Sequence, residues 1–373
     1  MRVLLFNSYA EIPATAWNQL AGNQPFLQHA FLAGLEKTDC ATAQTGWAPL
    51  LLTVWEDDAL LAAMPLYAKS HSMGEFVFDW GWAEAYAQHG IPYYPKLVAA
   101  VPFSPVQGPR LLAVNDEARM ALLEAALAHA EAADFSSLHV LFPLPEEAAL
   151  LEAKGLLIRQ GVQFHWRNNG FKDFEDFLAA LTQTKRKKIR QERRRVADAG
   201  ITLQCLTGSQ ITPELLAFAY VCYANTYAVR GREPYLSPAF FQHLGATMPD
   251  NILLVVASRG DLPIAMALNL YTDDTLWGRY WGELEHVSCL HFEACYYQAI
   301  EFCIARGIKL FEGGAQGEHK LARGFLPVTT YSAHWVAHPQ FRAAIANFLQ
   351  RESRGIDAYM DELNEHAPFK PVQ

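Results

Sequence analysis

The two halves of the chain repeat one order of predicted elements, and this internal similarity constrains the fold more than any other feature. Each half has apolar runs typical of strands around a turn, then a segment with helical spacing, then another apolar run. The runs lie at 50–55, 60–67, 118–132 and 138–142 in the first half, and at 252–258, 264–271, 275–281, 290–305 and 308–311 in the second. When Tyr67 is placed over Tyr271, DDALLAAMPLY aligns with DLPIAMALNLY. The sequence therefore predicts a duplicated α/β unit.

Length also indicates two domains, because 373 residues exceed the usual size of one core. The polar run Asn168 to Gly170 is a plausible junction. We therefore expect an N-terminal domain at 1–168 and a C-terminal domain at 169–373. The second domain is predicted to begin with one long basic helix, from Lys172 to Ala199, which ends at Gly200.

The first domain also contains an aromatic segment of weaker pattern. Residues 75–79 predict a third strand, and the following residues 79–97 read DWGWAEAYAQHGIPYYPKL. Gly90, Pro92 and Pro95 interrupt this segment, so it is predicted to be irregular.

Composition indicates a compact chain, with 51% hydrophobic and 18% charged residues. The N-terminal run VLLF is far shorter than a signal-peptide core, and no segment approaches the roughly 18 apolar residues of a spanning helix. We therefore expect a cytoplasmic protein. The six cysteines have no C-x-x-C pair and no metal-like spacing, so neither a disulfide framework nor a metal site is predicted.

Between Lys185 and Arg195, eight of eleven residues are Lys or Arg. Because the chain carries −9 and this segment carries +7, the remainder carries −16. Arginine forks onto phosphate oxygens, so we predict a phosphate-bearing ligand: RNA, a nucleotide diphosphate moiety, a lipid pyrophosphate or an anionic membrane surface. The alternative is a solvated face that lies against the acidic remainder. The predicted phosphate-binding residues are Lys185, Arg186, Lys188, Arg190 and Arg193.

Helical spacing brings like charges together in five i+3 or i+4 pairs of this basic segment. Two attractive pairs are expected, Lys188 with Glu192 and Glu192 with Arg195. At a few tenths of a kcal/mol per pair, the imbalance costs about 1 kcal/mol. A bound polyanion would offset this cost.

The densest polar chemistry lies in GRYWGELEHVSCLHFEACYYQAIE at 278–301 and FEGGAQGEHKLARGF at 311–325. The second segment is expected just past a strand end, where ligands bind in open α/β sheets, and its glycines let backbone approach a substrate. Glu293 and Glu312 are the candidate general bases, because burial among aromatic side chains raises the pKa of a carboxylate. The substrate-binding residues predicted here are Arg279, Tyr280, His291, Tyr297, Gln316, His319 and Arg323.

Cys295 lies four residues after His291 on the same predicted helix, a spacing that also fits a nucleophile and its base. A small thiol in an apolar helix is more often a packing residue. Cys295 is therefore either a nucleophile or a packing residue, and His291 is either its base or a core residue.

At these residues the chain resembles the FemAB-like group of predicted N-acyltransferases, within the GNAT and Fem aminoacyltransferase superfamily. The similarity extends over nearly the whole chain. It is carried by PFLQHAFLAGLE, YYPKL, PFSPVQGPRLL, KRKKIRQERRRV, LWGRYWG, HFEACYYQ and EGGAQGEHKLARGFLPVTTYSAHW. The resemblance implies an α/β fold of two GNAT-like domains in tandem, each a mixed sheet flanked by helices, in agreement with the duplication.

The resemblance also implies an activity. Fem enzymes transfer amino acids from aminoacyl-tRNA to peptidoglycan precursors by direct attack of an amine, which needs proton removal, stabilisation of the oxyanion and alignment of both substrates. Lys320 is similar to a lysine that supports the acyl carbonyl or phosphates in those enzymes, so it joins Glu293 and Glu312 as a predicted catalytic residue. We expect no permanently bound cofactor, with aminoacyl-tRNA or acyl-CoA as co-substrate. The expected partners are a small-molecule or peptidoglycan-precursor acceptor, tRNA and the membrane surface.

An acceptor between the two domains would meet aromatic residues of the first domain. The residues predicted to bind it are Trp80, Trp82, Tyr86, Tyr93 and Tyr94, with Arg110 available for a carboxylate. The alternative is that these aromatic side chains belong to the core.

Two departures from the family pattern keep other functions open. GNAT enzymes that use acyl-CoA carry a Q/R-x-x-G-x-G/A loop whose amides hold the pyrophosphate. Here the corresponding junction reads GELEHVSCLHFE, and VQGPRL in the first half also departs from the pattern. No paired heptad run matches the coiled-coil arm that Fem enzymes commonly insert for tRNA. The alternatives are an acyl-CoA-dependent N-acyltransferase and a non-catalytic tandem GNAT protein that binds RNA or a cell-wall precursor.

Overall fold

The structure is a computed structural model that describes residues 1–315 and 317–370. Its strands are β1 (Arg2–Phe6), β2 (Trp47–Pro49), β3 (Leu51–Glu56), β4 (Ala59–Met64), β5 (Leu66–Lys69), β6 (Lys96–Ala99), β7 (Leu112–Ala113), β8 (Ser137–Leu141), β9 (Leu157–Arg167), β10 (Ile201–Thr207), β11 (Ile252–Arg259), β12 (Leu262–Tyr271), β13 (Thr275–Glu283), β14 (Leu310–Ala315) and β15 (Leu326–Val336). Its α-helices are α1 (Ala14–Ala21), α2 (His29–Lys37), α3 (Trp80–Gln88), α4 (Asp116–Ala132), α5 (Pro145–Ala153), α6 (Phe174–Ala180), α7 (Gln183–Asp198), α8 (Pro213–Ala228), α9 (Pro238–Thr247), α10 (Leu290–Phe292), α11 (Gln298–Arg306) and α12 (Pro339–Glu365). The predicted fold class, mixed sheets flanked by helices, is confirmed.

The chain forms two compact units. Unit 1 contains residues 1–161 and 329–358, and unit 2 contains residues 162–328 and 359–373. The chain first passes between the units inside β9, a few residues before the predicted domain junction. It returns inside β15 and again passes to unit 2 inside α12.

Unit 1 contains an antiparallel sheet of order β1-β3-β4-β7 and a second run of strands, β15-β8-β6-β5-β2, in which β6 and β8 are parallel. Helix α4 begins at Asn115, whose side chain accepts a hydrogen bond from the Ala118 N–H. Ala118, Leu122, Ala126 and Ala130 recur every fourth residue and are fully buried against the sheets. This stripe fixes α4 to the core of the unit.

Unit 2 contains strands in the order β10-β11-β12-β13-β14-β9, antiparallel except for the β13 and β14 pair. Helix α8 packs directly on β13. A Cβ atom at Gly282 would lie 2.0 Å from the Cys222 carbonyl oxygen, so a glycine at this position permits the close approach of helix and strand. The aromatic rings of Tyr223 and Tyr280 meet beside it at 5.1 Å between centroids.

The prediction of one long basic helix is wrong, because the chain divides into α6 and α7. Leu181 adopts an extended conformation, with φ −80° and ψ 157°, and forms a β-bridge with Phe369. The Thr182 N–H donates to the Pro368 carbonyl, and the Lys370 N–H donates to the Ala180 carbonyl. Because the C-terminal segment supplies these hydrogen bonds, the helix can end at Ala180 without unpaired backbone groups.

The aromatic segment of unit 1 also differs from its prediction. Residues 75–79 form a loop, and the segment expected to be irregular contains helix α3. Phe76 has a φ of +61°, which interrupts a strand. The predicted strand at 60–67 is divided at Pro65 into β4 and β5, since proline cannot donate to a ladder.

The helix predicted at 290–305 is present, and its middle part is a π-helical turn. Residues Glu293–Tyr297 form this turn between α10 and α11. Cys289, with a φ of +69°, precedes α10. A π turn inside a helix is frequent at functional sites, because it moves the following side chains relative to an ideal helix.

No helix in residues 1–315 and 317–370 is both long enough and apolar enough to cross a membrane.

Candidate functional site

Helix α7 faces the core of unit 2 through Ile189, Glu192 and Val196. Glu192, the single acid of the basic segment, is 5% exposed. Its carboxylate accepts hydrogen bonds from Arg323 Nη2 at 2.8 Å and from the Tyr297 hydroxyl. The predicted pairs of Glu192 with Lys188 and Arg195 are therefore wrong. The inward carboxylate of Glu192 compensates the buried charge of Arg323. Lys188 and Arg195, on the outer face of α7, therefore do not have Glu192 as a partner.

Arg193, the next residue, lies between two other acids of the same unit. Its Nη1 and Nη2 atoms donate to the two oxygens of Glu301 at 2.9 and 3.0 Å, a bidentate geometry. Its Nε donates to Glu293 at 3.2 Å, and its guanidinium lies 4.5 Å from the centre of the Phe174 ring. Arg193, predicted as a phosphate ligand, thus already holds two carboxylates. We call Glu192, Arg193, Glu293, Glu301 and Arg323 the α7 ion network.

The other predicted phosphate ligands lie toward the outer face of α7. Arg190 is exposed and forms an ion pair with the exposed Glu175. Lys185 and Arg186 are half-buried, and Lys188 is exposed. Within residues 1–315 and 317–370, these last three cations form no ion pair with an acid. They provide an uncompensated positive surface at the start of the helix.

Lys320 lies in a short 3₁₀ turn, Glu318–Arg323, that follows β14. Its Nζ donates to the Gly314 carbonyl at 3.1 Å, at an irregularity in the pairing of β14 with β9. Gly314 has a φ of +76°, which allows the strand to bend at this point. Lys320 is 4% exposed, and burial lowers the pKa of its ammonium from 10.5 to about 8. It is therefore mostly a cation at neutral pH, in an environment of low polarity.

Two histidines accompany Lys320, His319 within this turn and His291 on α10. His319 Nε2 is 3.0 Å from the Tyr296 hydroxyl, and the rings of His319 and His291 are 6.1 Å apart. Burial, with the charges of His319, Arg323 and Lys320, lowers the pKa of His291 to about 4. Burial, Arg323 and Lys320 also lower the pKa of His319. Both rings are therefore neutral at pH 7, and burial raises the pKa of the nearby Cys295 thiol, which opposes a thiolate nucleophile.

The two predicted bases have different surroundings. Glu293 is 3% exposed, and burial raises the pKa of its carboxyl, while Arg193 and Gln298 oppose that rise. Gln298 Nε2 donates to Glu293 at 2.8 Å. Glu312 is 7% exposed on β14, opposite His165 of β9. Burial is the main cause that lowers the pKa of His165 to about 4, with smaller contributions from Arg167 and Lys320.

Strands β13 and β14 separate next to this site. Their parallel ladder runs from Thr275 with Leu310 to Trp277 with Glu312, and both strands continue beyond it. Arg279 and Tyr280 are half-buried on the continuing part of β13. Diverging parallel strands expose backbone groups that a bound ligand can pair with.

A depression of about 370 Å³ lies beside the second half of α7. It is lined by Arg193, Arg194, Val196, Ala197, Ile201, Leu203, Glu293 and Gln298. Glu293 and Arg193 thus link the depression to the α7 ion network. No group of three or more His, Cys, Asp or Glu side chains in the described part of the chain is placed to hold a metal ion.

The aromatic residues predicted for the acceptor lie in unit 1. Trp82, Tyr86 and Tyr93 are at most 7% exposed and belong to a core cluster with α12. Tyr94 is half-buried, with its hydroxyl 2.8 Å from Ser72 Oγ, and Trp80 is 48% exposed.

Arg110 is fully buried, also in unit 1, and its guanidinium donates to the carbonyls of Val106, Gly108, Pro109 and Leu141. The structure therefore brings together Lys320, His291, His319, Tyr297, Arg323 and Glu293 in unit 2, whereas the predicted acceptor residues belong to unit 1. Gln316 lies outside the described residues.

Unit 1 contains a second cluster of buried charges that the sequence analysis did not identify. We call Lys69, Glu75, Asp79 and Lys96 the unit 1 ion cluster. Lys96 Nζ donates to Glu75 at 2.8 Å and to Asp79, and the side chains of these three residues are at most 3% exposed. Burial shifts the pKa of Lys69 down to about 7 and that of Glu75 up to about 7. Burial, the largest single influence, favours a higher pKa for Asp79, and the contacts with Lys96, His139 and Ser72 together hold that pKa at about 2.

Solved structures define the class of fold. FemX shares it with a TM-score of 0.56 at 12% identity, over 93% of this chain and 100% of that chain. The C-terminal domain of a lysylphosphatidylglycerol synthetase from Agrobacterium fabrum has a TM-score of 0.55 at 12% identity, over 91% and 96%. L-PGS from Bacillus licheniformis has a TM-score of 0.51 at 12% identity, over 85% and 95%. At this identity the likeness concerns the fold.

The chain belongs to the FemAB-like family, described as peptidoglycan biosynthesis/recognition, whose model matches residues 8–371. This confirms the predicted family. A search of curated proteins gives no significant match.

Proposed function

We propose that the protein is an N-acyltransferase that moves an aminoacyl group to an amine of a peptidoglycan precursor or a peptide-like acceptor. The observation that supports this most is Lys320, a buried cation held at the end of β14 beside two neutral histidines. Direct attack of an amine on an activated acyl carbon creates an oxyanion. Its collapse forms the amide, breaks the ester bond to the donor and releases the ribose hydroxyl of the tRNA, which takes up a proton. A buried ammonium stabilises the charge of the oxyanion more strongly than one in water, because the surroundings screen it less.

The attacking amine must also lose a proton. Two buried carboxylates of unit 2, Glu293 and Glu312, are the candidates for this step. Burial raises the pKa of Glu293, which favours a base near neutral pH. Its contacts with Arg193 and Gln298 orient the carboxylate and reduce its basicity. In the proposed mechanism one of these two acids accepts the proton, Lys320 faces the oxyanion, and His319, which is exposed, contacts the acceptor.

The acyl donor is proposed to be aminoacyl-tRNA. The support is the positive surface of Lys185, Arg186 and Lys188, which suits a phosphate backbone. No permanently bound cofactor is needed, because the donor arrives already activated.

The test is a transfer assay with two labelled donors, aminoacyl-tRNA and acyl-CoA, and a soluble precursor peptide that carries a free amine. We expect label on the peptide from aminoacyl-tRNA, no label on a peptide whose amine is acetylated, and at least a 100-fold loss with Lys320→Met. Transfer from acyl-CoA and not from aminoacyl-tRNA would show that acyl-CoA is the donor. Absence of transfer from both donors would contradict catalysis and leave a binding function.

Glu293→Gln and Glu312→Gln form a matched pair for the base. Each removes the proton acceptor and keeps the size of the side chain. The base is the residue whose replacement abolishes the deprotonation limb of the pH–rate profile, whereas loss of a residue that only orients substrate lowers the rate at every pH.

A further inference from the structure

The most exposed apolar segment at a sheet edge of the described chain is β1. It is the terminal strand of the antiparallel sheet β1-β3-β4-β7. Its central residues Val3, Leu4 and Leu5 are 47%, 39% and 40% exposed. Successive side chains of a strand point to opposite faces. Both faces of β1 are therefore apolar and open to solvent.

The other terminal strands are protected in ways that β1 is not. Strand β7 has two residues, and β2 has three and includes Pro49. Strand β10 carries exposed polar side chains at Thr202 and Gln204 and packs against α7 through Ile201 and Val196. Short length, proline and polar residues are the usual means of blocking edge-to-edge pairing.

The pairing of β1 with β3 leaves the outer edge regular. Five consecutive residues, Arg2 to Phe6, pair with Trp55 to Leu51 without a bulge. The single charged side chain, Arg2, turns back and donates to the Asp57 carbonyl at 2.6 Å. No charge, proline or bulge therefore interrupts the outer hydrogen-bonding edge of β1.

We propose that β1 is an interface that pairs antiparallel with β1 of a second copy of this chain. A two-fold axis through Leu4 places Leu4 opposite its own copy and Val3 opposite Leu5 of that copy. Arg2, whose guanidinium donates to the Asp57 carbonyl of its own chain, then lies opposite Phe6, which is uncharged. The other facing pairs are thus apolar, and like charges do not meet.

A second copy fits this edge better than an unrelated peptide. Peptides that add a strand to a sheet are selected by pockets beside the edge. At β1 the side chains of Val3, Leu4, Leu5 and Phe6 would select the partner strand. In the antiparallel register Val3, Leu4 and Leu5 face the same three apolar residues of a second copy. The resulting sheet continues through both copies in the order β7-β4-β3-β1-β1-β3-β4-β7.

The test is the mass of the full chain in solution by sedimentation velocity over roughly 1 to 100 µM, the range in which interfaces of modest size associate. We expect a monomer–dimer equilibrium within this range. Leu4→Lys and Leu4→Glu should each weaken the dimer at least about tenfold, because each places like charges directly opposite. An equimolar mixture of the two variants should restore the dimer, since the charges then differ in sign.

Controls separate the interface from a loss of folding. Leu4 is 39% exposed, so both variants should keep the thermal midpoint of the wild type. Leu262→Lys, at a 67% exposed leucine of unit 2, should leave the association unchanged. Amide hydrogen exchange of residues 2–6 should slow as the protein concentration rises. A monomer at all concentrations, a dimer that resists both Leu4 variants, or a mixture that stays monomeric would each overturn the proposal.

Discussion

The unit 1 ion cluster and the α7 ion network are both built from buried cations and acids, and they differ in their access to solvent. In unit 1, Lys96, Glu75 and Asp79 are nearly completely enclosed. In unit 2, the side chains of Arg193 and Glu301 are 28% and 38% exposed. The first arrangement fixes a loop, since Glu75 and Asp79 belong to the segment between β5 and α3. The second reaches the surface at the same helix that carries the positive patch.

This difference shows how two clusters of similar chemistry can have different uses. A closed cluster gains rigidity and cannot meet a substrate. An open one leaves charged groups such as Arg193 and Glu301 within reach of a ligand. Arg323 of the α7 ion network lies in the same turn as Lys320, whose pKa is lowered by burial, and perturbed pKa values are frequent at functional sites. We therefore propose a structural role for the unit 1 ion cluster and a functional role for the surroundings of Lys320, and the following predictions test that contrast in order of decreasing effect.

Lys96→Met should give the largest loss of stability. It leaves the buried Glu75 and Asp79 beside an apolar side chain, and removal of one partner from a buried ion pair costs about 3–5 kcal/mol. The measurement is the free energy of unfolding in urea at pH 7. Lys154→Met is the matched control, because Lys154 and Glu124 form an exposed pair whose loss costs at most about 1 kcal/mol. Equal effects of the two variants would contradict a structural role for the unit 1 ion cluster.

Lys320 should make the stability of the protein depend on alkaline pH. Its pKa is about 8 in the folded chain and 10.5 ordinarily, so between these values the unfolded chain binds more protons and stability rises with pH. The rise is up to about 3 kcal/mol, from the size of the shift. The wild type should therefore be less stable than Lys320→Met below pH 8, and the gap should narrow toward pH 10.5. The measurement is the free energy of unfolding in urea of both proteins from pH 7 to pH 10.5. A difference between the two proteins that does not change with pH would contradict burial of the charged lysine.

Glu192→Gln should have an intermediate effect. The amide can still accept from Tyr297, but it no longer compensates the charge of Arg323, and a hydrogen bond to a charged group contributes about 1.5–3 kcal/mol. Glu175→Gln is the control, since its pair with Arg190 is at the surface and its loss should cost at most about 1 kcal/mol. Urea unfolding compares the two. If Glu175→Gln lowers the free energy of unfolding as much as Glu192→Gln, the buried Glu192 does not stabilise the packing of α7.

The triple variant Lys185→Gln, Arg186→Gln and Lys188→Gln should change stability least, by about 1 kcal/mol or less. It should instead weaken tRNA binding and reduce the slope of log affinity against log salt by about 0.7 to 0.9 per lost phosphate contact. Filter binding over a salt series measures the slope. Lys309→Gln, which changes an exposed cation outside α7, should leave it unaltered. An unchanged slope in the triple variant would remove α7 from the proposed tRNA site.

Parts of the candidate site could be predicted from the sequence, because they depend on local patterns. The resemblance of HKLARGF to the family indicates Lys320, and its turn follows a predicted strand. The inward position of Glu192 could not be predicted from a sequence window, since its partner Arg323 is 131 residues away. Glu192 is the one acid among eight cations, and helical spacing alone predicts that it pairs with Lys188 and Arg195 at the surface. Glu301 and Tyr296 were missed because helical spacing does not show which face meets another element.

The sequence alone determined the family, through motifs that resemble it, and the mixed α/β fold class and a concentrated basic helix, because these depend on the order of residues along the chain. Only the tertiary structure decided the ending of α6 at Ala180, the core positions of Trp82, Tyr86 and Tyr93, and the partners of Arg193. These features depend on groups that are distant in sequence, such as Pro368 for the helix end and Glu293 and Glu301 for the guanidinium. A buried polar group requires a partner, and folding determines which one it finds.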